Sequence, residues 1–550
     1  MKEIASSADI KKFRQKDYIY IDKTEYIYNL ITKYERVFFS RPRRFGKSLT
    51  LNTIETLFEK GVDPYFQGTW IHDRWKQNKY PVLHLNFLEY STTDLTEFKR
   101  QFCLSVSKFA RKQKIDDVLE DKEPNVYISN LFDAMSDDQQ LVLLIDEYDC
   151  QLTANIGNPE LYKKFRNFLR DFYATIKGAY QIQFMAVTGV TRLKDVSIFS
   201  VGSDIKDLTY EHSFSQMIGF TRDEIKRYYI DYLKRGVSYE QRKAAELVTD
   251  DEVESFIDRI EVHYDGYCFD NKNRKKVFST YSVNSFFQTM ASDEEVVFGN
   301  YWYDVGGLPS VLINYMGSYS LDIEKLLLSE IQIPYNDLMN PVSLLEINEN
   351  VLMCQTGYLT LKSPLDISND VLLGPANMEV RRALFSLLSL RIFKTNISPY
   401  NANSKYVLEQ GNADEIIALF NSLLAALAYD KYPVTSESVL RALLQAYLVG
   451  KNHDVRVEQH NSKGRSDILV NFPERRVVLE LKYTTSQNEV SQKLNEAETQ
   501  IRERGYGQEL LGGRELLQIA CVFNGAPDQR RIAAYRTINL DCSDDSKGRI

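Results

Sequence analysis

The sequence predicts an α/β protein in which two α/β regions flank a helical middle, and three observations carry this prediction. Short apolar runs alternate with segments of helical periodicity over the first 210 residues. Helical periodicity with short polar breaks continues from residue 211 to about residue 435. From residue 436 onward, β-prone runs joined by turn residues lie between helical segments.

The length of the chain indicates how many domains it has, and its net charge indicates which partners it can bind. A chain of 550 residues exceeds one hydrophobic core, so several domains are expected. The net charge of −8 argues against nucleic-acid binding by the whole surface. From Arg441 onward there are 17 Lys and Arg against 15 Asp and Glu, so a nucleic-acid contact is more plausible there than elsewhere.

Cysteine usage and hydropathy predict a cytoplasmic protein with no membrane span. The six cysteines are scattered without a C-x-x-C pair, which is typical of a reducing compartment and excludes a structural zinc site of that type. The N-terminus lacks an apolar signal core. The most apolar stretch, near Ile416, is too short to span a bilayer and reads as a buried amphipathic helix.

The first element pair is a strand over 36–40 and a helix over 47–60, joined by a loop that ends in Gly46-Lys47-Ser48. Strand, loop and helix in this order are the context of a phosphate-binding loop, although Arg41 stands where its first glycine is expected. In this interpretation Lys47 neutralises the β and γ phosphates of ATP, and Ser48 offers its hydroxyl to Mg²⁺. The alternative is a basic loop that spells GKS by chance. The predicted nucleotide-binding residues of the loop are Arg41, Pro42, Arg43, Arg44, Phe45, Gly46, Lys47, Ser48 and Leu49.

The run "LVLLIDEYD" (141–149) predicts a buried strand that delivers two carboxylates at its carboxyl end. Asp146 would hold Mg²⁺ through water, and Glu147 would polarise the attacking water. The alternative is a buried strand with a capping aspartate.

A third apolar run, "IQFMAVTG" (182–189), predicts a strand that places the hydroxyl of Thr188 near the γ-phosphate. Arg192, four residues later, would reach a phosphate or a neighbouring subunit, which would require a homo-oligomer. A solvated arginine is the alternative.

"RPRRFGKS" with the acidic strand, "DLTYEHSFSQMIGFTRDEI" (207–225), "HYDGYCFD" (263–270) and "YWYDVGGLPSVL" (301–312) resembles the predicted AAA-ATPase-like family over nearly the whole chain. The resemblance implies a P-loop NTPase (AAA/STAND-like) domain, with arginine usual at the Arg41 position. It also implies that Asp22 and Lys23 help frame the nucleotide base; a turn with a capping aspartate is the alternative.

The middle of the chain carries no catalytic pattern, and it predicts a helical lid followed by a helical connector. The segment 221–236 opens with Thr221 and Glu224 in capping-box spacing. The basic cluster 271–276 reads as an exposed turn rather than a nucleic-acid patch. The expected domains are 1–210, 211–335, 336–435 and 436–550.

The C-terminal region predicts a β-hairpin formed by "SDILVNF" and "RRVVLELKY" around a Pro-Glu turn. Glu480 and Lys482 are two residues apart, so both project from one face of the second strand, and Asp467 on the first strand can face them. A solvated hairpin with ordinary charges is the alternative.

Asp467, Glu480 and Lys482, with helices before and after the hairpin, resemble the PD-(D/E)XK nuclease superfamily. The resemblance implies that Asp467 and Glu480 hold Mg²⁺ and that Lys482 orients the attacking water or stabilises the developing charge. Glu458 on the preceding strand is a candidate additional acidic group, and Gln500 on the following helix matches the superfamily's glutamine near the site.

Two hypotheses about function follow. The first is a cytoplasmic ATPase fused to a metal-dependent nuclease that cuts DNA or RNA, with defence against phage or mobile DNA suggested by analogy. The second is a nucleotide-regulated switch that binds ATP and nucleic acid with little or no cleavage.

Overall fold

The computed structural model of the chain describes residues 1–115, 123–136, 138–193, 204–302, 312, 315, 330–341, 343–365, 369–393, 398–451, 453–461, 464–509 and 511–538. The chain divides into two units. The first comprises Met1–Tyr319 and Ser329–Arg381, and the second comprises Ser320–Leu328 and Arg382–Ile550. The domain boundaries expected near residues 210, 335 and 435 remain predictions.

A five-stranded parallel sheet forms the centre of the first unit, in the order β2-β3-β4-β1-β5. Its strands are β1 (Arg36–Ser40), β2 (Val82–Asn86), β3 (Leu141–Asp146), β4 (Ile182–Gly189) and β5 (Lys206–Asp207).

The apolar runs of the sequence become the buried strands of this sheet. Every residue of β1 and β3 is buried, as expected for strands covered on both faces. The predicted strands over 36–40 and 182–189 are confirmed, and the acidic strand ends at Asp146. Because parallel strands end at one edge, the segments that follow β1 and β3 emerge on the same side of the sheet, where α/β proteins bind ligands.

Eleven helices over four residues long lie in the described part of the chain before residue 300. They are α1 (Ile10–Gln15), α2 (Thr24–Lys33), α3 (Lys47–Lys60), α4 (Leu95–Lys112), α5 (Pro124–Ala134), α6 (Cys150–Ala154), α7 (Pro159–Ile176), α8 (Arg222–Tyr228), α9 (Ile230–Gln241), α10 (Asp250–Tyr264) and α11 (Thr280–Asp293).

The predicted lid segment forms two helices instead of one continuous helix. Thr221 and Glu224 cap α8 reciprocally, as expected. The helix then breaks at Tyr229, whose φ of −111° and ψ of 17° leave the α-helical region. Helices α8 to α11 pack around a core of buried residues that includes Ile225, Leu233, Phe256, Ile257, Ile260, Val283, Phe286 and Phe287.

A small antiparallel sheet lies in a region for which the sequence predicts helix. Its strands are β6 (Ile331–Pro334), β7 (Thr360–Leu361) and β8 (Asp370–Gly374), in the order β6-β8-β7. Helices α12 (Tyr335–Met339), α13 (Glu349–Thr356) and α14 (Met378–Ile392) accompany it. Strands of two to five residues are too short to give a recognisable period, so the helical prediction for this region was incomplete.

The second unit contains a five-stranded sheet in the order β13-β12-β11-β10-β9. Its elements are α15 (Ser398–Gln410), α16 (Ala413–Ala425), α17 (Glu437–Gly450), β9 (Asp454–Asn461), β10 (Gly464–Asn471), β11 (Arg475–Thr484), α18 (Val490–Arg504), β12 (Glu515–Asn524) and β13 (Arg531–Ile538). Only β11 and β12 pair in parallel. The predicted hairpin, with a helix before it and a helix after it, is confirmed.

The apolar stretch near Ile416 forms α16, which is buried on one face. Asn421 on this helix donates to the backbone oxygen of Ile532 at 3.1 Å and accepts from its N–H at 2.7 Å. Across the residues that the structure describes, no helix combines the length and the apolar character that crossing a bilayer requires.

Candidate functional sites

The loop between β1 and α3 makes a tight turn through left-handed backbone. Arg44 has a φ of 67° and Gly46 a φ of 105°. A β-carbon on Gly46 would meet no heavy atom within 4 Å, so glycine is required here for backbone conformation rather than for space. The turn and the start of α3 line one cavity, the arrangement in which backbone N–H groups and a helix N-terminus bind phosphate.

Lys47 lies beneath this turn, and its side chain is almost fully buried. Its Nζ donates to the backbone oxygens of Arg41 at 3.0 Å and Pro42 at 3.2 Å. Nζ also lies 3.1 Å from Oε1 of Glu147, which directly follows β3. The turn, the ammonium group and the carboxylate are therefore brought together as the sequence predicts.

Ser48 and Asp146 are also brought together. The hydroxyl of Ser48 donates to Oδ2 of Asp146 at 2.6 Å. Oδ1 of Asp146 is buried and has no hydrogen-bond partner among the described residues. Burial raises the pKa of this carboxyl, and the neighbouring charge of Glu147 adds to the rise, while the Ser48 hydrogen bond opposes it. An oxygen acceptor with these properties beside a hydroxyl fits a hard cation such as Mg²⁺.

A cavity of about 290 Å³ opens above the turn. One wall consists of residues 44–50 and Glu147. The other walls come from the N-terminal segment, the turn 217–220 and the start of α11. Leu49 is among the lining residues, as expected.

Arg41 does not reach this cavity. Only 1% of the residue is exposed, and its guanidinium donates to the backbone oxygens of Ser40 and Thr209, each at 2.8 Å. The group also stacks over the ring of Phe269 at 4.1 Å. Burial lowers the pKa of Arg41 to about 10. The guanidinium thus ties the base of the turn to the segment after β5, and Arg41 is not among the residues that line the cavity.

Three further residues of the turn hold it against the rest of the unit. Phe45 is buried with its ring edge against Tyr267, at a centroid distance of 4.7 Å. The backbone oxygen of Arg43 accepts from Trp302 Nε1 at 3.3 Å. Pro42 is buried so closely against Gly357 that a β-carbon on this glycine would lie 2.8 Å from it. The side chains of Phe45 and Pro42 and the backbone of Arg43 therefore hold the turn in position.

Thr188 and Arg192 are not among the residues that line the cavity. The hydroxyl of Thr188 is fully buried and donates to the backbone oxygen of Phe39 at 2.8 Å. Arg192 is 8% exposed and forms an ion pair with Asp207 through Nε. The sequence-based interpretation of a solvated arginine does not match this burial.

Asp149 is a buried carboxylate to which the sequence analysis assigned no role. It accepts hydrogen bonds from the backbone N–H groups of Val190 at 3.2 Å and Thr191 at 2.7 Å. A β-carbon on Gly189 would lie 2.4 Å from its Oδ1. Asp149 therefore joins the segments that follow β3 and β4, which fixes the edge of the sheet beside the cavity.

Asp22 lies one residue before the N-cap of α2 and accepts hydrogen bonds there, which is close to the capping role that the sequence allowed as an alternative. Its Oδ1 accepts from Thr24 N at 2.9 Å, and its Oδ2 accepts from Trp70 N at 2.6 Å. Lys23 lines the cavity, and its Nζ donates to Glu224 at 2.7 Å.

The second candidate site lies on the hairpin of β10 and β11. Asp467 and Glu480 are 7% and 4% exposed, and Lys482 is buried beside them. Oδ2 of Asp467 accepts from the backbone N–H of Leu481 at 2.8 Å, which ties the first strand to the second. Nζ of Lys482 lies 3.4 Å from Oε1 of Glu480 and donates to the backbone oxygen of Leu481 at 3.0 Å. The structure therefore brings the three predicted residues together.

Glu480 has one carboxyl oxygen that accepts no hydrogen bond from the described residues. This oxygen is Oε2, and it is buried. Burial, reinforced by the negative charge of Asp467, raises the pKa of this carboxyl to about 8, although Lys482 opposes the rise. A cation beside Oε2 would restore the ionised form.

Helix α17 supplies two charged groups that the sequence analysis missed. Nη1 of Arg441 donates to Oδ1 of Asp467 at 3.0 Å. The carboxylate of Glu437 lies 3.4 Å from Nζ of Lys482, and burial raises the pKa of Glu437. The signal was present: Glu437 and Arg441 are one turn apart on a helix whose other residues are mostly apolar and buried.

Glu458 and Gln500 are only partly located. Glu458 lies on β9 at the position opposite Asp467, because its neighbours Val457 and Gln459 pair with Ile468 and Ser466 on β10. The structure does not describe its side chain. Gln500 lies on α18, and its Oε1 is buried without a hydrogen-bond partner in the part of the chain that the structure describes.

The hairpin site fits a divalent cation with oxygen ligands. Among the described residues, no group of three or more His, Cys, Asp or Glu is arranged to hold a metal. Mg²⁺, however, is commonly held by one or two carboxylates with waters and substrate phosphates completing its shell. Asp467 and Glu480 meet that requirement, since each carboxylate has acceptor capacity beyond its present contacts.

These two sites define an α/β protein that joins a P-loop ATPase-type domain to a PD-(D/E)XK nuclease-type domain. Residues 6–199 match the family described as Predicted AAA-ATPase, and residues 435–532 match the PD-(D/E)XK nuclease superfamily. The chain thus carries one domain of each kind, and both resemblances are confirmed over these residues. The wider resemblance to the first family, over segments between residues 207 and 312, stays a prediction.

Two individual proteins are also similar. An uncharacterized protein in the vnfD 5′ region of Azotobacter chroococcum mcd 1 is 26% identical over 471 residues, which cover 83% of this chain and 84% of that protein. The structure of the Walker-type ATPase PABY2304 of Pyrococcus abyssi aligns with a TM-score of 0.36 at 12% identity, covering 68% of this chain and 97% of that one.

Proposed function

We propose that the protein is a cytoplasmic, nucleotide-controlled nuclease that requires Mg²⁺ and cuts phosphodiester bonds of DNA or RNA. The observation that carries the proposal is the cluster of Asp467, Glu480 and Lys482. In this cluster Oε2 of Glu480 is buried without a hydrogen-bond partner among the described residues, and the ammonium group of Lys482 lies close to Oε1. Defence against phage or mobile DNA is the role we assign to this pair of activities, by analogy with their combination.

In the hairpin site, Asp467 and Glu480 would hold the cation, and Lys482 would act on the substrate. The chemistry supplied by bound Mg²⁺ is Lewis acidity toward a water and a phosphate oxygen. With its backbone contact to Leu481 retained, Lys482 would orient the attacking water or donate to the phosphate as negative charge develops.

In the loop site, the phosphates of ATP would compete with Glu147 for Lys47. The Lys47–Glu147 ion pair at 3.1 Å is mutually satisfied. Phosphate oxygens beside Lys47 would take over this ammonium group, and Glu147 would then be available to polarise a water for hydrolysis. Ser48 and Asp146 would hold the Mg²⁺ that accompanies ATP.

The test uses the full chain with labelled DNA and labelled RNA, Mg²⁺ or Mn²⁺, with and without ATP. Lys482→Ala is expected to lower cleavage by at least about 100-fold, since one positioned donor is worth that much in comparable sites. Lys493→Ala, a lysine on α18 that is paired with Glu496, is the matched control. Equal cleavage by wild type and Lys482→Ala would rule out this site as the nuclease.

Control by nucleotide is tested with Lys47→Ala, for which Lys60→Ala at the exposed end of α3 is the control. We expect the Lys47 variant to lose ATP binding and to cut without any response to ATP. If its cleavage responds to ATP as that of wild type does, the proposed control of cleavage through Lys47 is wrong.

A switch that binds ATP and nucleic acid without cutting is the second candidate. The ion pairs Lys47–Glu147 and Arg441–Asp467 support it, because each holds a residue of the proposed chemistry in a contact that needs no substrate. Retained binding of nucleic acid with no cleavage under any metal or nucleotide condition would select this alternative.

A further inference from the structure

Helix α11 begins at the phosphate-binding turn and runs along the cavity above it. The hydroxyl of Thr280, the first residue of the helix, donates to the backbone oxygen of Arg44 at 2.9 Å. The ring of Tyr281 lies under the Arg44 guanidinium at 4.3 Å. Asn284, which also lines the cavity, is one helical turn further on, about 6 Å along the axis. It is therefore within reach of the body of a nucleotide whose phosphates lie at Lys47.

The side chain of Asn284 is oriented by a buried tyrosine. The hydroxyl of Tyr229 donates to Oδ1 of Asn284. Tyr229 is 1% exposed, and its ring stacks on Phe287 at a centroid distance of 5.0 Å, so packing fixes the position of this hydroxyl. Because the amide oxygen is engaged, the amide nitrogen is the end left for a ligand. Nδ2 of Asn284 has no hydrogen-bond partner in the part of the chain that the structure describes.

The same cavity offers apolar surface on several sides. The side chains that supply it are Phe13, Ile19, Ile21, Met217, Ile218 and Phe220. A flat heteroaromatic ring suits such walls, since its faces are apolar while its edge carries hydrogen-bond acceptors. A donor that lacks a partner beside apolar walls is the chemistry that recognises a nucleobase.

We propose that Asn284 is the base-recognising residue of the nucleotide site and that it donates from Nδ2 to a ring nitrogen of a purine. Tyr229 is its positioning residue, and the apolar walls enclose the ring. The inference rests on the proposed function in one respect, namely that the phosphates of the nucleotide occupy the turn at Lys47.

The test compares ATP with inorganic tripolyphosphate, which carries the phosphates without a base. Binding of each to the full chain is measured by titration calorimetry for wild type, Asn284→Ala, Tyr229→Phe and Lys47→Ala. Asn78→Ala, an exposed asparagine of the same unit that does not line the cavity, is the control.

Asn284→Ala is expected to weaken ATP binding about three- to tenfold, the value of one hydrogen bond, and to leave tripolyphosphate binding unchanged. Tyr229→Phe keeps the ring and should weaken ATP in the same direction by a smaller factor. Lys47→Ala should weaken both ligands, and Asn78→Ala neither.

The failures are distinguishable. If Asn284→Ala binds ATP like wild type, or weakens both ligands equally, the base-recognition proposal is overturned while the nucleotide site stands. If wild type binds neither ATP nor tripolyphosphate, the proposed function itself fails. Thermal unfolding midpoints of all variants separate a lost contact from a lost fold.

Discussion

The two candidate sites hold their lysines in different ways. Lys47 is held by two backbone carbonyls and one carboxylate, whereas Lys482 contacts one backbone carbonyl and the carboxylates of Glu480 and Glu437. Moving an ammonium group away from neutral carbonyls has little electrostatic cost. Moving it away from a buried carboxylate is costly, because the carboxylate is left with an unpaired charge. We therefore expect Lys47 to exchange its contacts for those of a ligand more readily than Lys482, which is paired with two carboxylates.

A shared feature makes this difference meaningful. Each site contains one buried carboxylate oxygen without a hydrogen-bond partner among the described residues, Oδ1 of Asp146 and Oε2 of Glu480. Each carboxyl has a raised pKa because of its burial. In both sites a bound cation would contact the free oxygen and favour the ionised carboxylate, which supports the requirement for a divalent cation that we propose for each.

The largest expected effect concerns the two arginines near these sites. Arg41→Leu should destabilise the first unit by about 3 to 5 kcal/mol, because it leaves the buried oxygens of Ser40 and Thr209 without a donor. Arg441→Leu should cost less, about 1 to 2 kcal/mol, since the ion pair of Arg441 with Asp467 is only part-buried. Thermal unfolding of the full chain measures both.

Arg44→Ala is the control for Arg41, because Arg44 lies in the same turn and is exposed. If Arg41→Leu keeps its stability and loses ATP affinity instead, the buried role of Arg41 is refuted and the anion contact predicted from the sequence is restored.

The second prediction separates the two carboxylates of the hairpin. Both Glu480→Gln and Asp467→Asn should lower cleavage by at least about 100-fold. Their stabilities should diverge in metal-free buffer. Asp467→Asn loses the charge that pairs with Arg441 and should be about 1 to 3 kcal/mol less stable. Glu480→Gln replaces a carboxyl whose charged form is disfavoured by burial with a neutral group of the same shape, and it should not be less stable.

The measurement is the unfolding midpoint in the presence of a chelator. Equal destabilisation by the two variants would show that Glu480 is balanced by a group other than the contacts given above.

The third prediction concerns how the stability of the second unit depends on pH, in contrast to that of the first. Burial, with lesser contributions from Lys405 and Lys451, lowers the pKa of His453 in the second unit to about 4. The unfolded chain therefore binds a proton more readily between pH 6.5 and 4, so the stability that neutral His453 contributes is present above pH 6.5 and is lost as pH falls toward 4. The loss should reach about 2 to 3 kcal/mol.

His453→Phe should remove this pH dependence of stability. Thermal unfolding midpoints between pH 4 and 7 measure it. His72→Gln, at a partly exposed site in the first unit, is the control. An unchanged profile in the His453 variant would contradict the prediction.

Local patterns predicted the elements and the motifs, because helix α3 and strands β1, β3 and β4 follow from residues within each element. The position of Arg41 could not be predicted in this way. Its partners Thr209 and Phe269 lie more than 160 residues away in sequence, and only the tertiary fold brings them to it.

The hairpin site also shows that contacts within one local segment can be predicted from the sequence, whereas contacts with a separate helix cannot. Asp467, Glu480 and Lys482 could be predicted to meet, since strand alternation and a short turn fix their relation. Arg441 escaped because it belongs to a helix whose docking on the sheet no local pattern specifies. The roles of all these residues stay predictions until the variants are measured.

The smallest expected effect belongs to Thr188, for which the sequence predicts a hydroxyl near the γ-phosphate. Because that hydroxyl donates to Phe39 O and is fully buried, Thr188→Val should cost about 1 kcal/mol of stability. The rate of ATP hydrolysis should change by less than about twofold, since no contact to the cavity is lost. Thr175→Val, which removes a similar hydrogen bond to backbone on the exposed face of α7, controls for the substitution. A fall in hydrolysis of tenfold or more at unchanged ATP affinity would instead establish Thr188 as a sensor of the γ-phosphate, and the loop site would then extend across the sheet edge to β4.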